Sequence, residues 1–435
     1  MNEPLTKESI LSDNFRETRE DLFAIRREIT QKVANHFDVE VRGDVNVSPE
    51  AYSLYIRALE YDRLETKEDN QLAIATLSQA IEKDANFLDA YVKLASNQLL
   101  NHERGYDLDE KWLNEVEQNI NKVLAKDESR ADCFWLLGRL YIQRGDHKKG
   151  VENLEKAIEL NSNQMRPYVT LGEEYATNLG DPAKALTYFQ QAYDLEPTNF
   201  NISVNIGIAN AMIKNYDEAE KAFRKATNQN RTHELPWINL GYLYELLGKG
   251  DSAEIAFMNA AERNPKNPET AKHLAFMLIN RGRVAQAESA LTSTLKFESS
   301  NDELSYILGI AQEKRGKIKE AKETWKGGQL LVEAKIKDNP NVPELYFYLG
   351  LISARLGEKE KAVTNAMTAV RMDSTDDNVM GVSRVYAILK NKKEMLNWFS
   401  RARAMNTEYD ETFVATDIDF LDYRNDKDLI VAAKK

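Results

Sequence analysis

The sequence predicts an all-α solenoid, a right-handed superhelix of about nine to ten helix-turn-helix units preceded by an amphipathic helix. Three observations predict it. One pattern of residue types recurs about every 34 residues along most of the chain. Within each block the apolar residues fall three and four apart, the spacing of a single helix stripe. With only 19 Gly and 10 Pro in 435 residues, the composition fits neither a fibrous nor a disordered chain.

Residues 234–267 set the register. Trp237, Leu240, Gly241 and Tyr244 are followed by Ala253, Phe257, Ala260 and Pro265. Trp237, Leu240 and Tyr244 form one stripe of a first helix. Gly241 removes a side chain where the second helix crosses, and Phe257 fills the space between the small residues Ala253 and Ala260. The tract at 248–253 is the turn, and Pro265 stops the second helix. Read as W-x2-L-G-x2-Y, A-x3-F and P, this block resembles the tetratricopeptide repeat at every signature position.

The same pattern places further units at 131–164, 165–199, 200–233, 268–301, 302–342 and 343–376. In the 302–342 unit the second helix is expected to run on to about Lys337. Weaker units stand at 54–87, at 88–130 with an insertion near 101–110, and at 377–407; residues 408–435 read as a C-terminal cap. Atypical end units are expected where an array must present a polar outer face. The array as a whole spans 48–407, opened by Ser48-Pro49-Glu50 as N-cap and helix start.

Residues 1–47 form a separate region. Leu22, Ile25, Ile29, Val33 and Phe37 make one apolar stripe of an amphipathic helix over 13–37, followed by an extended linker at 38–47. Taken with Ala51, Tyr52, Leu54, Tyr55, Arg57 and Ala58, this stretch resembles the junction in bacterial multidomain regulators. In those proteins an effector domain and a small α/β domain precede a tetratricopeptide array. Arg27 stands where that family usually has Gln. The resemblance implies either the C-terminal part of such a regulator or a stand-alone relative.

Charge and motifs narrow the function classes. A formal net charge of −12 argues against nucleic acid or an anionic membrane as a general partner. The single cysteine, Cys133, permits no internal disulfide and reads as a small buried apolar residue. No run of 18 apolar residues spans a bilayer, and residues 1–12 lack the pattern of a signal peptide. A cytoplasmic protein is expected, or an extracytoplasmic one if an upstream anchor has been removed. The five histidines are dispersed, and no phosphate-binding loop, dinucleotide fingerprint or nucleophile elbow occurs. Neither an enzyme nor a cofactor is expected.

First helices of stacked pairs line the concave side of a solenoid. Groove positions of the units give Trp135, Arg139, Ile142, Val169, Glu173, Val204, Ile208 and Met212. They continue with Leu235, Ile238, Tyr242, Leu246, Lys272, Phe276, Ile279, Tyr306, Ile310, Phe347, Leu351 and Arg355. Asn205 and Asn239 occupy one shared position of consecutive units, suited to a peptide backbone. Such an apolar, aromatic lining is either an interaction surface or is buried between neighbouring units. Lys272 matches the first Lys of the carboxylate clamp known in some tetratricopeptide proteins, but Phe276 replaces its Asn, so that clamp is not expected. The reading is a non-catalytic scaffold or sensor that binds a protein or peptide on its concave face. Alternatives are the regulatory or substrate-binding part of a larger enzyme or signalling protein whose effector domain lies upstream, or an architectural subunit that self-associates through its end repeats.

Overall fold

The computed structural model describes residues 47–62 and 66–434. The helix expected at 13–37 and nearly all of the linker after it lie outside these residues. Among the described residues there are 22 α-helices, one short 3-10 turn and no strand. Each first helix packs most closely on the helix that follows it, which makes ten pairs. The chain divides into two compact units, residues 1–198 and 199–435.

The first unit holds four pairs. These are α1 (Pro49–Asp62) with α2 (Lys67–Lys83), α3 (Leu88–Glu103) with α4 (Lys111–Leu124), α5 (Ala131–Gln143) with α6 (His147–Leu160), and α7 (Met165–Thr177) with α8 (Pro182–Leu195). Its core is interrupted. One apolar cluster gathers around Leu77, Phe87 and Leu94, another around Leu99, Ile120 and Leu136. Buried amides lie beside both: Asn70 Nδ2 donates to Asn97 O at 3.1 Å and to Asn101 Oδ1 at 2.9 Å, and Asn119 donates to Gln98 at 2.9 Å. These bonds offset part of the cost of burying the amides. Cys133 is fully buried, and burial pushes its thiol up to about 12, which makes it unreactive.

The second unit holds six pairs and a C-terminal segment. The pairs are α9 (Phe200–Met212) with α10 (Tyr216–Gln229), α11 (Leu235–Leu246) with α12 (Gly250–Arg263), and α13 (Pro268–Asn280) with α14 (Val284–Leu295). They continue with α15 (Asp302–Lys314) and α16 (Ile318–Asp338), α17 (Pro343–Arg355) and α18 (Lys359–Met372), and α19 (Asp376–Ile388) and α20 (Lys392–Met405). Then follow α21 (Glu411–Thr416), a 3-10 turn (Leu421–Tyr423) and α22 (Lys427–Lys434). One continuous apolar core runs from Val204 to Ala433.

Local chemistry explains the pairing. A Cβ added at Gly241 would stand 2.6 Å from the Phe257 ring, and one at Gly309 would clash with the Trp325 indole. Only glycine lets those rings lie against the first helix. Among the described residues the turn after nine of the first helices is closed by one left-handed residue, Gly248 at φ 67° in one pair and Lys214 at φ 63° in the preceding one.

Successive pairs of the second unit are also tied by charge. Glu220, Glu254 and Glu288 recur at the repeat spacing on α10, α12 and α14. Each meets a base from the turn of the next pair: Lys249 at 3.7 Å from Glu220, Arg283 on Glu254, and Lys317 at 2.7 Å from Glu288. Arg281 adds a second bond to Glu254 at 2.8 Å, and Arg315 a second to Glu288. Partly exposed pairs of this kind contribute about 0.5–1 kcal/mol each.

Candidate peptide-binding face

The predicted groove residues lie on first helices and fall into three environments. Val204, Ile238, Ile279, Tyr306, Ile310 and Leu351 are buried in the second unit. Trp135, Arg139, Ile142, Val169, Asn205, Leu235, Asn239, Tyr242, Lys272, Phe276, Phe347 and Arg355 are half-buried. Glu173, Ile208, Met212 and Leu246 are exposed, the last three at 38%, 46% and 63%. Several polar members are bonded within the chain. Asn239 Nδ2 donates to Leu235 O at 3.0 Å, Tyr242 OH to Glu269 at 3.2 Å, and Lys272 pairs with Glu269 at 2.8 Å.

In the first unit, Arg139, Ile142 and Glu173 line an open recess of about 320 Å³ together with Glu103, Gln143 and Thr177. Arg139 pairs with Glu103 and lies 4.7 Å from the centre of the Trp135 ring, which Arg166 also approaches at 5.3 Å. Trp135 Nε1 donates to Thr170 Oγ1 at 3.0 Å. This is a polar, open face on which one aromatic ring lies against two guanidiniums.

The second unit differs because its own C-terminal segment crosses the first-helix face. Asn280 Nδ2, on α13, donates to the Thr416 carbonyl at 2.7 Å, and Arg424 returns a bond to Asn280 Oδ1. Tyr306 OH, on α15, donates to Asp419. Arg355, on α17, donates to the same carboxylate at 2.7 Å, lies 3.4 Å from the Tyr306 hydroxyl, and reaches Glu313 at 3.2 Å. Arg384, on α19, holds Asp417 through Nε at 3.0 Å and Nη2 at 2.8 Å. Its guanidinium lies between the Phe347 and Phe413 rings, 6.0 and 5.6 Å from their centres. Between the two acids Ile418 is buried, and Phe420 beyond them is fully buried against Phe399.

Electrostatics follow from that burial. Burial works against the Arg355 charge, but Tyr306 and Asp419 outweigh it and hold the guanidinium above its ordinary pKa. Burial likewise opposes Arg384, and Asp417 with Asp419 more than offsets it. The Asp417 carboxyl is pushed up, by burial first and by the neighbouring Asp419, although Arg384 draws it down. The Tyr306 hydroxyl is driven well up by burial, so it donates to Asp419 and does not ionise. A cavity of about 140 Å³ remains beside the segment, lined by Phe276, Glu303, Phe347, Tyr348 and Leu351.

The groove reading therefore brought Tyr306 and Arg355 to one carboxylate and Phe276, Phe347 and Leu351 to one cavity wall. It omitted Asn280, Arg384 and the two aspartates. Asn280 had a signal, since it stands one repeat after Leu246 at the same position. The aspartates lie outside the repeats, marked only by alternation of acidic and apolar residues in Thr416-Asp417-Ile418-Asp419-Phe420. Among the described residues no group of three His, Cys, Asp or Glu could hold a metal ion, and no helix is long and apolar enough to cross a membrane.

Family models described as tetratricopeptide repeat match residues 131–164, 177–240 and 236–267. No curated protein matches the sequence. Among solved structures, yeast Tom70 is 14% identical and covers 90% of this chain and 96% of its own, with a TM-score of 0.45. A tetratricopeptide repeat protein from Parabacteroides merdae is 16% identical over 62% of this chain and 99% of its own, with a TM-score of 0.44. YrrB, described as a TPR protein with an unusual peptide-binding site, is 20% identical over 42% of this chain and 93% of its own, with a TM-score of 0.33. Repeats of this class characteristically act as protein-interaction scaffolds. On the repeating residue pattern, the paired helices and the family-model matches together, the chain contains tetratricopeptide repeats.

Proposed function

We propose that this protein is a non-catalytic scaffold that binds a protein or peptide on the first-helix face of its repeats. The observation that carries this reading is that the face of the second unit already holds a peptide segment, Thr416–Phe420, through side chains of four successive first helices. Tethered or free, a peptide meets the same donors and the same apolar wall there. The segment makes its polar bonds with the helices α13 to α19. On α9 and α11 the large apolar side chains Ile208, Met212 and Leu246 remain exposed. Exposed apolar groups on consecutive first helices are suited to anchor the rest of a ligand.

The test is capture of binding proteins from a native extract with the wild-type chain and with an Ile208→Ser, Met212→Ser, Leu246→Ser variant. Because those side chains are exposed, melting should stay within about 2 °C of wild type, as expected for surface changes of a few tenths of a kcal/mol. Loss of a specific partner from the variant supports the reading. Identical partners on both chains would place binding elsewhere and end it.

A further inference from the structure

We infer that the first-helix face of the second unit selects an acidic peptide, with two carboxylates separated by one intervening residue ahead of an aromatic, and that residues 411–424 are its resident competitor. This rests on the scaffold reading above and adds the chemistry of the ligand.

Three observations carry it. The first concerns charge. Arg355 and Arg384 have side chains only 14% and 19% exposed, and their carboxylate partners Asp419 and Asp417 are 4% and 8% exposed. A guanidinium left in that position without a carboxylate would be a buried unpaired charge, which is strongly disfavoured. Glu313, 3.2 Å from Arg355, stays when the segment leaves, whereas Arg384 then loses the carboxylate it pairs with, so a ligand that brings acids at the same spacing is favoured over a neutral or basic one.

The second concerns the division of labour at the C-terminus. The end of the array is closed by α22, which packs on α20: Arg403 donates to the Ala433 carbonyl at 3.1 Å, and Lys392 pairs with Asp426 and Asp428 at 2.6 and 2.7 Å. Residues 411–424 form an excursion between α20 and that cap. In this proposal the excursion leaves the first-helix face while those bonds keep α22 docked, and its departure gives up the Glu411–Lys434 pair at 3.1 Å and the burial of Phe420 against Phe399. Held at both ends, it competes at a high effective concentration, so a free ligand must match its chemistry closely.

The third concerns space. The cavity of about 140 Å³ beside Ile418 is walled by Phe276, Phe347 and Leu351, and Glu303 and Tyr348 line it as well. A ligand with a larger apolar residue between its two acids would fill volume that Ile418 leaves open.

The experiment measures fluorescence anisotropy of a labelled peptide spanning residues 411–424, with the full chain and with an Asp417→Asn, Asp419→Asn variant whose resident segment is weakened. The peptide is expected to bind the variant at least about tenfold more tightly than the wild-type chain, a difference of about 1.4 kcal/mol. A peptide carrying Asn at both acidic positions should bind neither. Equal binding of the two peptides would overturn the acidic specificity. So would no binding to a variant that melts as wild type does. Should the variant melt early, hydrogen exchange on the wild-type chain decides. Amides of 413–424 exchanging faster than those of α19 and α22, and faster again with excess peptide, support a displaceable segment; exchange in step with α17 and α19 shows a fixed part of the core and overturns it. If the peptide fails while the exposed Ile208, Met212 and Leu246 still govern partner capture, the scaffold reading stands without this specificity.

Discussion

The two units present the same helical face in different states. In the first, Arg139 pairs with Glu103 at the edge of an open recess, and Trp135 lies against two guanidiniums with water at hand. In the second, Arg355 and Arg384 face the same way on their helices, but a segment from beyond the repeats covers them and supplies their counter-charges. Groove-facing arginines of the repeats thus pair with a partly exposed acid, Glu103, or with buried ones, Asp419 and Asp417, according to what lies over them. The apolar cores differ in parallel, two clusters with buried amides beside them in the first unit and one unbroken core that takes in the C-terminal segment in the second.

The largest expected difference is between the two arginines. Arg355→Ala leaves Asp419 and the Tyr306 hydroxyl buried without their cation, and should cost the second unit about 3–5 kcal/mol. Arg139→Ala removes a pair at the edge of the open recess, and should cost the first unit about 1 kcal/mol or less. Denaturant unfolding, with hydrogen exchange to assign the loss to a unit, checks both. Equal costs would break the comparison.

A smaller effect is expected from the charge ties between pairs. Glu254→Gln weakens its bonds to Arg281 and Arg283 in one step and should lower stability by about 1–2 kcal/mol. Thermal melting measures it, and no change would show that those ties contribute nothing.

The smallest is a pH dependence. Burial opposes the Glu288 and Glu220 charges, yet Lys317 with Arg315, and Arg224 with Tyr244, outweigh it and hold both carboxyls below the ordinary 4.5. Because the folded values are depressed, their stabilisation is fully present above pH 4.5 and is lost as pH falls through the lower folded values. A Glu220→Gln, Glu288→Gln variant should therefore lose less stability than wild type between about pH 5 and 3. An unchanged acid limb would sharpen attention onto other carboxylates, such as Glu117 of the first unit, which Arg144 and Tyr141 hold down in the same way.

The fold class was legible because a repeat states itself many times. Gly241 and Phe257 predict their own contact, and the long second helix read to about Lys337 ends at Asp338. The candidate site was legible only on one side. Tyr306 and Arg355 follow from repeat position, but Asp419 lies 113 and 64 residues away from them and belongs to no repeat. Periodicity reports which side chains share a face; it carries no information about what covers that face. Nor does it separate Ile238, which is buried beside its neighbours, from Leu246, which is exposed two turns further along the same helix.

The spacing of the charge ties has a consequence for how such a chain can change length. Glu220 and Lys249, Glu254 and Arg283, and Glu288 and Lys317 share one separation in sequence. If residues 221–254 were excised, Arg283 would stand at the same separation from Glu220 that Lys249 holds now. Acid and base would meet again across the new junction. Within this stretch the array can therefore be shortened or duplicated by 34-residue units with these ties re-formed, while a cut of another length strands one of them.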